Sequence, residues 1–188
     1  MTTPPQDSDR QHVFGYGSLL ERRDAGSTFE ICRITGHRRV WNVAMDNTVD
    51  LPGYKHYVDP RTRHRPAVFV AFLNIQPAPG GLVNGVLIDV SDADLAVLDA
   101  RERNYARIDV SAALTVGVPG RVWAYAGRPE AIERCRTGLR TGRAVIQERY
   151  YEHVRRQFAG LHAHGLEEFE RLTAPPPCPI VDLCRVDP

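Results

Sequence analysis

Six short segments, Val13–Tyr16, Arg39–Met45, Ala67–Leu73, Val83–Val90, Tyr105–Val110 and Arg121–Ala126, are rich in β-branched or aromatic residues and bounded by Gly, Pro or Asp. That is the pattern of strands punctuated by turns. It predicts an α+β chain built on a small, mostly antiparallel β-barrel with flanking helices. At 188 residues with 43% hydrophobic content, the chain can bury one substantial core and hardly two. A single domain is therefore expected over 12–173. The polar, proline-bearing start predicts a disordered tail over 1–11, and Pro175-Pro176-Pro177-Cys178-Pro179 excludes helix and predicts an extended strap over 174–188.

Helices are expected where apolar residues recur at helical spacing. Ser91-Asp92-Ala93-Asp94 has capping-box spacing, with Asp in the return position, and Leu95, Leu98 and Glu102 follow on one face. From about Arg143 to Leu161, the stripe Ile146, Tyr150, Val154, Phe158 and Leu161 predicts a longer helix packing on the core. Pro129 suits the first position of a shorter helix running through Ile132 and Cys135. The polar stretch Asp46–Pro66 is longer than an ordinary connection, and such loops are often lids or binding loops.

Composition removes several function classes. A formal net charge of +1, from 24 basic and 23 acidic residues, lacks the broad positive field of a nucleic-acid binder, so small-molecule partners are expected and nucleic acid is not. No apolar window reaches the length of a membrane span, and the first residues lack the basic start and apolar run of a secretory signal, so a cytoplasmic protein is expected. Cys32, Cys135, Cys178 and Cys184 are too scattered for a zinc knuckle, and the histidines show no ligand spacing, so no metal site is expected. Lys55, the single lysine, is the lone candidate for a Schiff base and lies in a polar segment; that chemistry is set aside.

Two stretches carry chemistry. In Val13-Phe14-Gly15-Tyr16-Gly17-Ser18-Leu19-Leu20 an apolar strand runs into a Gly-aromatic-Gly-Ser turn, whose glycines let backbone amides approach a ligand such as a carboxylate or phosphate. A bulge or tight packing explains the same glycines. The turn lacks the third glycine of a dinucleotide fingerprint, and Ser18 lacks the flanking glycines of a nucleophile elbow. In Leu98-Asp99-Ala100-Arg101-Glu102-Arg103-Asn104-Tyr105 the helix phase directs Glu102 towards the buried side. A desolvated carboxyl titrates higher than a free one, which suits a group that takes and returns a proton near neutral pH. The ordinary alternative is an exposed helix-end ion pair with Arg101 or Arg103.

The Phe-x-Tyr-Gly-Ser segment on the first strand, followed by Leu-Asp-x-x-Glu at a helix end and then a tyrosine, resembles the γ-glutamylcyclotransferase superfamily. The match is close over Val13–Leu19 and Leu95–Arg107 and loose over the strands between them. The resemblance implies a barrel-like α+β fold whose cavity holds a γ-glutamyl group and releases 5-oxoproline, with no cofactor. It implies that Tyr16, Gly17, Ser18 and Leu19 grip the amino-acid end of the substrate and that Glu102 is the acid/base. Tyr105 and Tyr125 are weaker binding candidates, each equally explained as a core aromatic. Two other readings stand beside this enzyme: a non-catalytic module binding a small anionic ligand, and an adaptor using the basic run Arg61, Arg63, His64 and Arg65. The substrate's leaving group and the oligomeric state are not legible in the sequence.

Overall fold

The computed structural model describes residues 10–20 and 29–187. Its frame is a mostly antiparallel sheet dominated by two long strands, β2 (Phe29–Asp46) and β4 (Phe69–Val90), which pair along nearly their whole lengths. The sequence expectation of two separate strands over Ala67–Leu73 and Val83–Val90 is replaced by the single strand β4. Its polar, Pro- and Gly-containing middle is a register irregularity opposite Gly36, where Gly80 and Gly36 take positive φ values of 74° and 71°. A side chain at Gly81 would put its Cβ 2.3 Å from the His37 carbonyl oxygen, so only glycine lets the strands stay paired there.

The short β1 (Gln11–Gly15) lies antiparallel to β4 and parallel to β6 (Arg121–Gly127), and β5 (Tyr105–Asp109) pairs antiparallel with β6. At Gly85 on β4 an added Cβ would stand 2.4 Å from the Gly15 carbonyl oxygen. This close approach fixes where β1 ends and its glycine turn begins. Four small strands complete the pattern among the described residues: β7 (Ala144–Gln147) runs parallel to β4 and to β8 (Ile180–Val181), while β3 (His56–Val58) pairs antiparallel with β9 (Cys184–Val186). The region expected as an extended strap thus carries two strands, the second of which ties the chain end to the Asp46–Pro66 loop. Of the tail expected over 1–11, residues 1–9 lie outside the described residues, and Gln11 already belongs to β1.

Among the described residues four α-helices pack on this sheet: α1 (Asp92–Arg101), α2 (Pro129–Arg140), α3 (Glu148–Ala159) and α4 (Gly165–Arg171). The capping box of α1 forms as its spacing predicts: Ser91 Oγ accepts from the Asp94 amide at 3.2 Å, and the Ser91 amide donates to Asp94 Oδ2 at 3.0 Å. The helix expected over Arg143–Leu161 is shorter than the periodicity suggests. Its first residues form β7 instead, with Ala144 and Ile146 buried, because a short apolar run reads equally well in either period and the open side of β4 supplies backbone partners. Arg39, fully buried on β2, anchors α3 and α4. Its guanidinium lies against the stacked Phe158 and Phe169 rings, 4.6 and 4.8 Å from their centroids, and donates to Thr173 Oγ1 and Asn84 Oδ1.

Candidate active site

The exit of β1 and the end of α1 meet across one cleft. After Gly15 the chain turns through Tyr16 and Gly17 into a 3-10 turn at Ser18–Leu20, closed by the Leu20 amide donating to the Gly17 carbonyl at 3.2 Å. The first amides of such a turn have no partner within it, so a Gly17-Ser18-Leu19 backbone is suited to receive an anion. Opposite, Glu102 is the C-cap of α1, its amide donating to the Leu98 carbonyl at 2.8 Å. Leu95 and Leu98 below it are buried at 3% and 1% exposure, as the helix phase requires. The Glu102 side chain is 16% exposed and lies 3.4 Å from Arg101 Nε. A helix C-terminus carries partial negative charge, a poor place for a carboxylate if stability alone were the criterion.

The cleft has two chambers. The inner recess, about 30 Å³, is lined by Tyr16, Gly17, Ser18, Leu19, Leu73, Glu102, Tyr105, Tyr125 and Tyr150. Every site residue singled out from the sequence therefore borders one space. The outer chamber, about 230 Å³, shares Ser18, Glu102, Tyr105 and Tyr150 with the recess and adds Tyr54, Lys55, Phe72, Arg103, Arg185 and Asp187 among its walls. A volume of about 30 Å³ accommodates roughly two waters or one carboxylate. The outer chamber is the larger of the two and opens from the recess past Ser18, Glu102, Tyr105 and Tyr150.

Tyrosines frame the recess and fix its shape. Tyr16 donates its hydroxyl to the Tyr125 carbonyl, locking the glycine turn to β6. Tyr105, at the start of β5, donates to the Leu73 carbonyl at 2.7 Å, and the Leu73 amide donates to Tyr150 Oη on α3 at 3.4 Å. Tyr125 lines the recess with its ring, but its hydroxyl turns away to Asp99 Oδ1 at 2.7 Å. Burial is the largest cause raising the Tyr16, Tyr54, Tyr105, Tyr125 and Tyr150 hydroxyls, and the negative charge of Glu102 raises all five further. They remain neutral phenols around a carboxylate, able to hydrogen-bond without adding charge.

Sequence reasoning missed Tyr150, Leu73 and the outer wall. The helical stripe predicts Tyr150 as a core-facing residue. Its ring does pack edge-on to Trp41 and Phe72, at 6.1 and 5.1 Å between centroids, while its hydroxyl end reaches the cavity. Lys55 sits in the loop suspected of binding, between Tyr54 and His56, and a lone lysine in such a loop was the available signal. Arg185 and Asp187 arrive only through the β3–β9 pairing. The basic run Arg61 to Arg65 lies outside both chambers, with Arg65 paired to Asp50. Among the described residues no cluster of His, Cys, Asp and Glu is placed to hold a metal, and no helix is long and apolar enough to cross a membrane.

Similarity to solved structures extends over most of the chain at low identity. A gamma-glutamyl cyclotransferase is 16% identical, with 87% of this chain and 88% of that one covered and a TM-score of 0.48. An uncharacterized protein from Homo sapiens gives the same identity and coverage with a TM-score of 0.47. YkqA from Bacillus subtilis is 14% identical with a TM-score of 0.50, and the match covers 87% of this chain but 54% of YkqA. No protein of curated function matches the chain in sequence. The family model described as "Gamma-glutamyl cyclotransferase, AIG2-like" matches residues 13–153, and with most of its length inside that match the chain belongs to this family.

Proposed function

We propose that this protein cyclises a γ-glutamyl compound, releasing 5-oxoproline and an amine, amino acid or peptide. The observation that carries the reading is the convergence of Glu102 and the Tyr16–Leu19 turn on one recess, in a chain of this family. The substrate's glutamyl end enters the recess with its α-carboxylate on the Gly17-Ser18-Leu19 amides, and the remainder occupies the outer chamber. Folding the glutamyl chain back brings its α-nitrogen against its own γ-carbonyl carbon, and such intramolecular placement supplies a large part of the rate.

Glu102 takes a proton from the α-ammonium, and the freed amine attacks the γ-carbonyl to form the lactam C–N bond. As the tetrahedral intermediate collapses, the bond to the leaving nitrogen breaks, Glu102 returns the proton to it, and the lactam nitrogen sheds its second proton to water or to the released amine. One carboxylate thus serves both steps, and no redox change occurs. The neutral tyrosine hydroxyls exclude water and hold the walls. Ser18 binds and is not a nucleophile.

The experiment is incubation with a panel of γ-glutamyl compounds, glutathione included, followed by quantification of 5-oxoproline. Product is expected from at least one member. Binding across the panel without product would instead make this a γ-glutamyl-binding module.

A further inference from the structure

Lys55 is the one lysine in the chain, and the acid–base chemistry above does not use it. It lies half-buried at the wall of the outer chamber, next to the space a departing amine would occupy. Its ammonium faces aromatic rings, with Nζ 4.7 Å from the Phe72 centroid and 5.8 Å from that of Tyr54, and it makes no ion pair among the described residues.

Two of the other described cations at this mouth, Arg101 and Arg185, are already paired with carboxylates. Arg101 reaches Glu102 at 3.4 Å, and Arg185 bonds Asp187 through Nε at 2.8 Å and Nη2 at 2.6 Å. Arg103 donates to the Pro52 carbonyl at 3.1 Å and stacks over Tyr54 at 5.3 Å, leaving its charge without a carboxylate. Among the described residues, these pairings leave Lys55 and Arg103 as positive charges at the chamber with no carboxylate in ion-pair contact.

A partly desolvated cation with no counter-ion costs the fold energy that a ligand anion would relieve. Burial, reinforced by Arg185, accordingly brings the Lys55 ammonium down to about 8, with Glu102 opposing. We propose that Lys55, backed by Arg103, binds a carboxylate carried by the departing amine, so the site selects γ-glutamyl amino acids and peptides over γ-glutamyl conjugates of cationic amines. This assignment rests on the cyclotransferase reading above. It adds a specificity-determining residue and a substrate class. A leaving group bearing an ammonium would meet Lys55 and Arg103 as like charges, and repulsion at such a site discriminates as strongly as attraction.

Three substrates test it: γ-glutamyl-alanine, γ-glutamyl-ethylamide, which is the same conjugate without the carboxylate, and γ-glutamyl-ethylenediamine, which carries an ammonium instead. We expect wild-type kcat/KM to favour the alanine conjugate over the ethylamide by about tenfold or more, the scale of a charge-assisted contact, with the ethylenediamine conjugate poorest. The preference should fall at least about tenfold in Lys55→Met, mainly through KM, persist in Lys55→Arg, and shift towards the ethylenediamine conjugate in Lys55→Glu. Equal wild-type turnover of the alanine and ethylamide conjugates overturns the proposal without needing any variant, as does an unchanged preference in a folded Lys55→Met. The absence of 5-oxoproline from all three substrates and from the wider panel would instead overturn the cyclotransferase reading and this assignment with it.

Discussion

Ser18 and Glu102, one on the turn leaving the first strand and the other capping the first helix, border both chambers of the same cleft. The relationship follows from two pieces of local chemistry. The close approach of Gly85 to Gly15 ends β1 at a defined height, and the Ser91–Asp94 capping box fixes where α1 starts and so where its last turn falls.

Gly17 offers a way to separate site from scaffold. A Cβ there would meet Leu73 Cδ1 at 3.6 Å and Tyr150 Oη at 3.8 Å, ordinary contacts at an unstrained backbone position. Gly17→Ala should therefore melt within about 0.5 kcal/mol of wild type, while its methyl intrudes on the small recess and raises KM. Gly85→Ala, whose Cβ would lie 2.4 Å from a carbonyl oxygen, should fail to fold or unfold at much lower temperature. Thermal melts alongside kinetics check both.

Removing the Tyr105 hydroxyl tests how the recess is held. Tyr105→Phe deletes the 2.7 Å donation to the Leu73 carbonyl and should lower stability by about 1 kcal/mol, read as a fall of roughly 2–4 °C in Tm. A Tm unchanged within error would show that this bond does not brace the wall.

The glycine turn and Glu102 were legible because each is a local pattern, a strand-to-loop transition and a helix phase, and each keeps its meaning wherever the element is placed. Tyr150 was not legible, because a helical stripe tells which face is covered and not that its edge opens onto a cavity. The strand β7 looked like helix since Ala144–Gln147 is too short for its period to decide. The outer wall depends on β3 and β9, each three residues long, whose pairing across most of the chain leaves no local sequence signature.

Lys55 links function to pH-dependent stability. Its folded value of about 8 lies below the ordinary 10.5, so between those pH values the unfolded chain binds the extra proton. Stability from this group therefore rises with pH across that window, and below it the burial cost is present in full. Lys55→Met has no such titration, so wild type should gain on the variant in denaturant melts between about pH 8 and pH 10.5. A constant difference across that range would place the ammonium in freely solvated surroundings.

Ser18→Ala should raise KM more than it lowers kcat, since the hydroxyl is assigned to binding. A trapped ester on Ser18 in a quenched reaction, detected by intact-protein mass spectrometry, would contradict the assignment.

The most direct test of the central claim is the turnover of Glu102→Gln on the best γ-glutamyl substrate, measured as 5-oxoproline formed. The amide keeps the side chain's shape but cannot relay the proton, so kcat should drop by at least about 10²-fold with a melting profile close to wild type. Turnover within a few-fold of wild type would contradict Glu102 as the acid/base and leave the recess without its proposed chemistry.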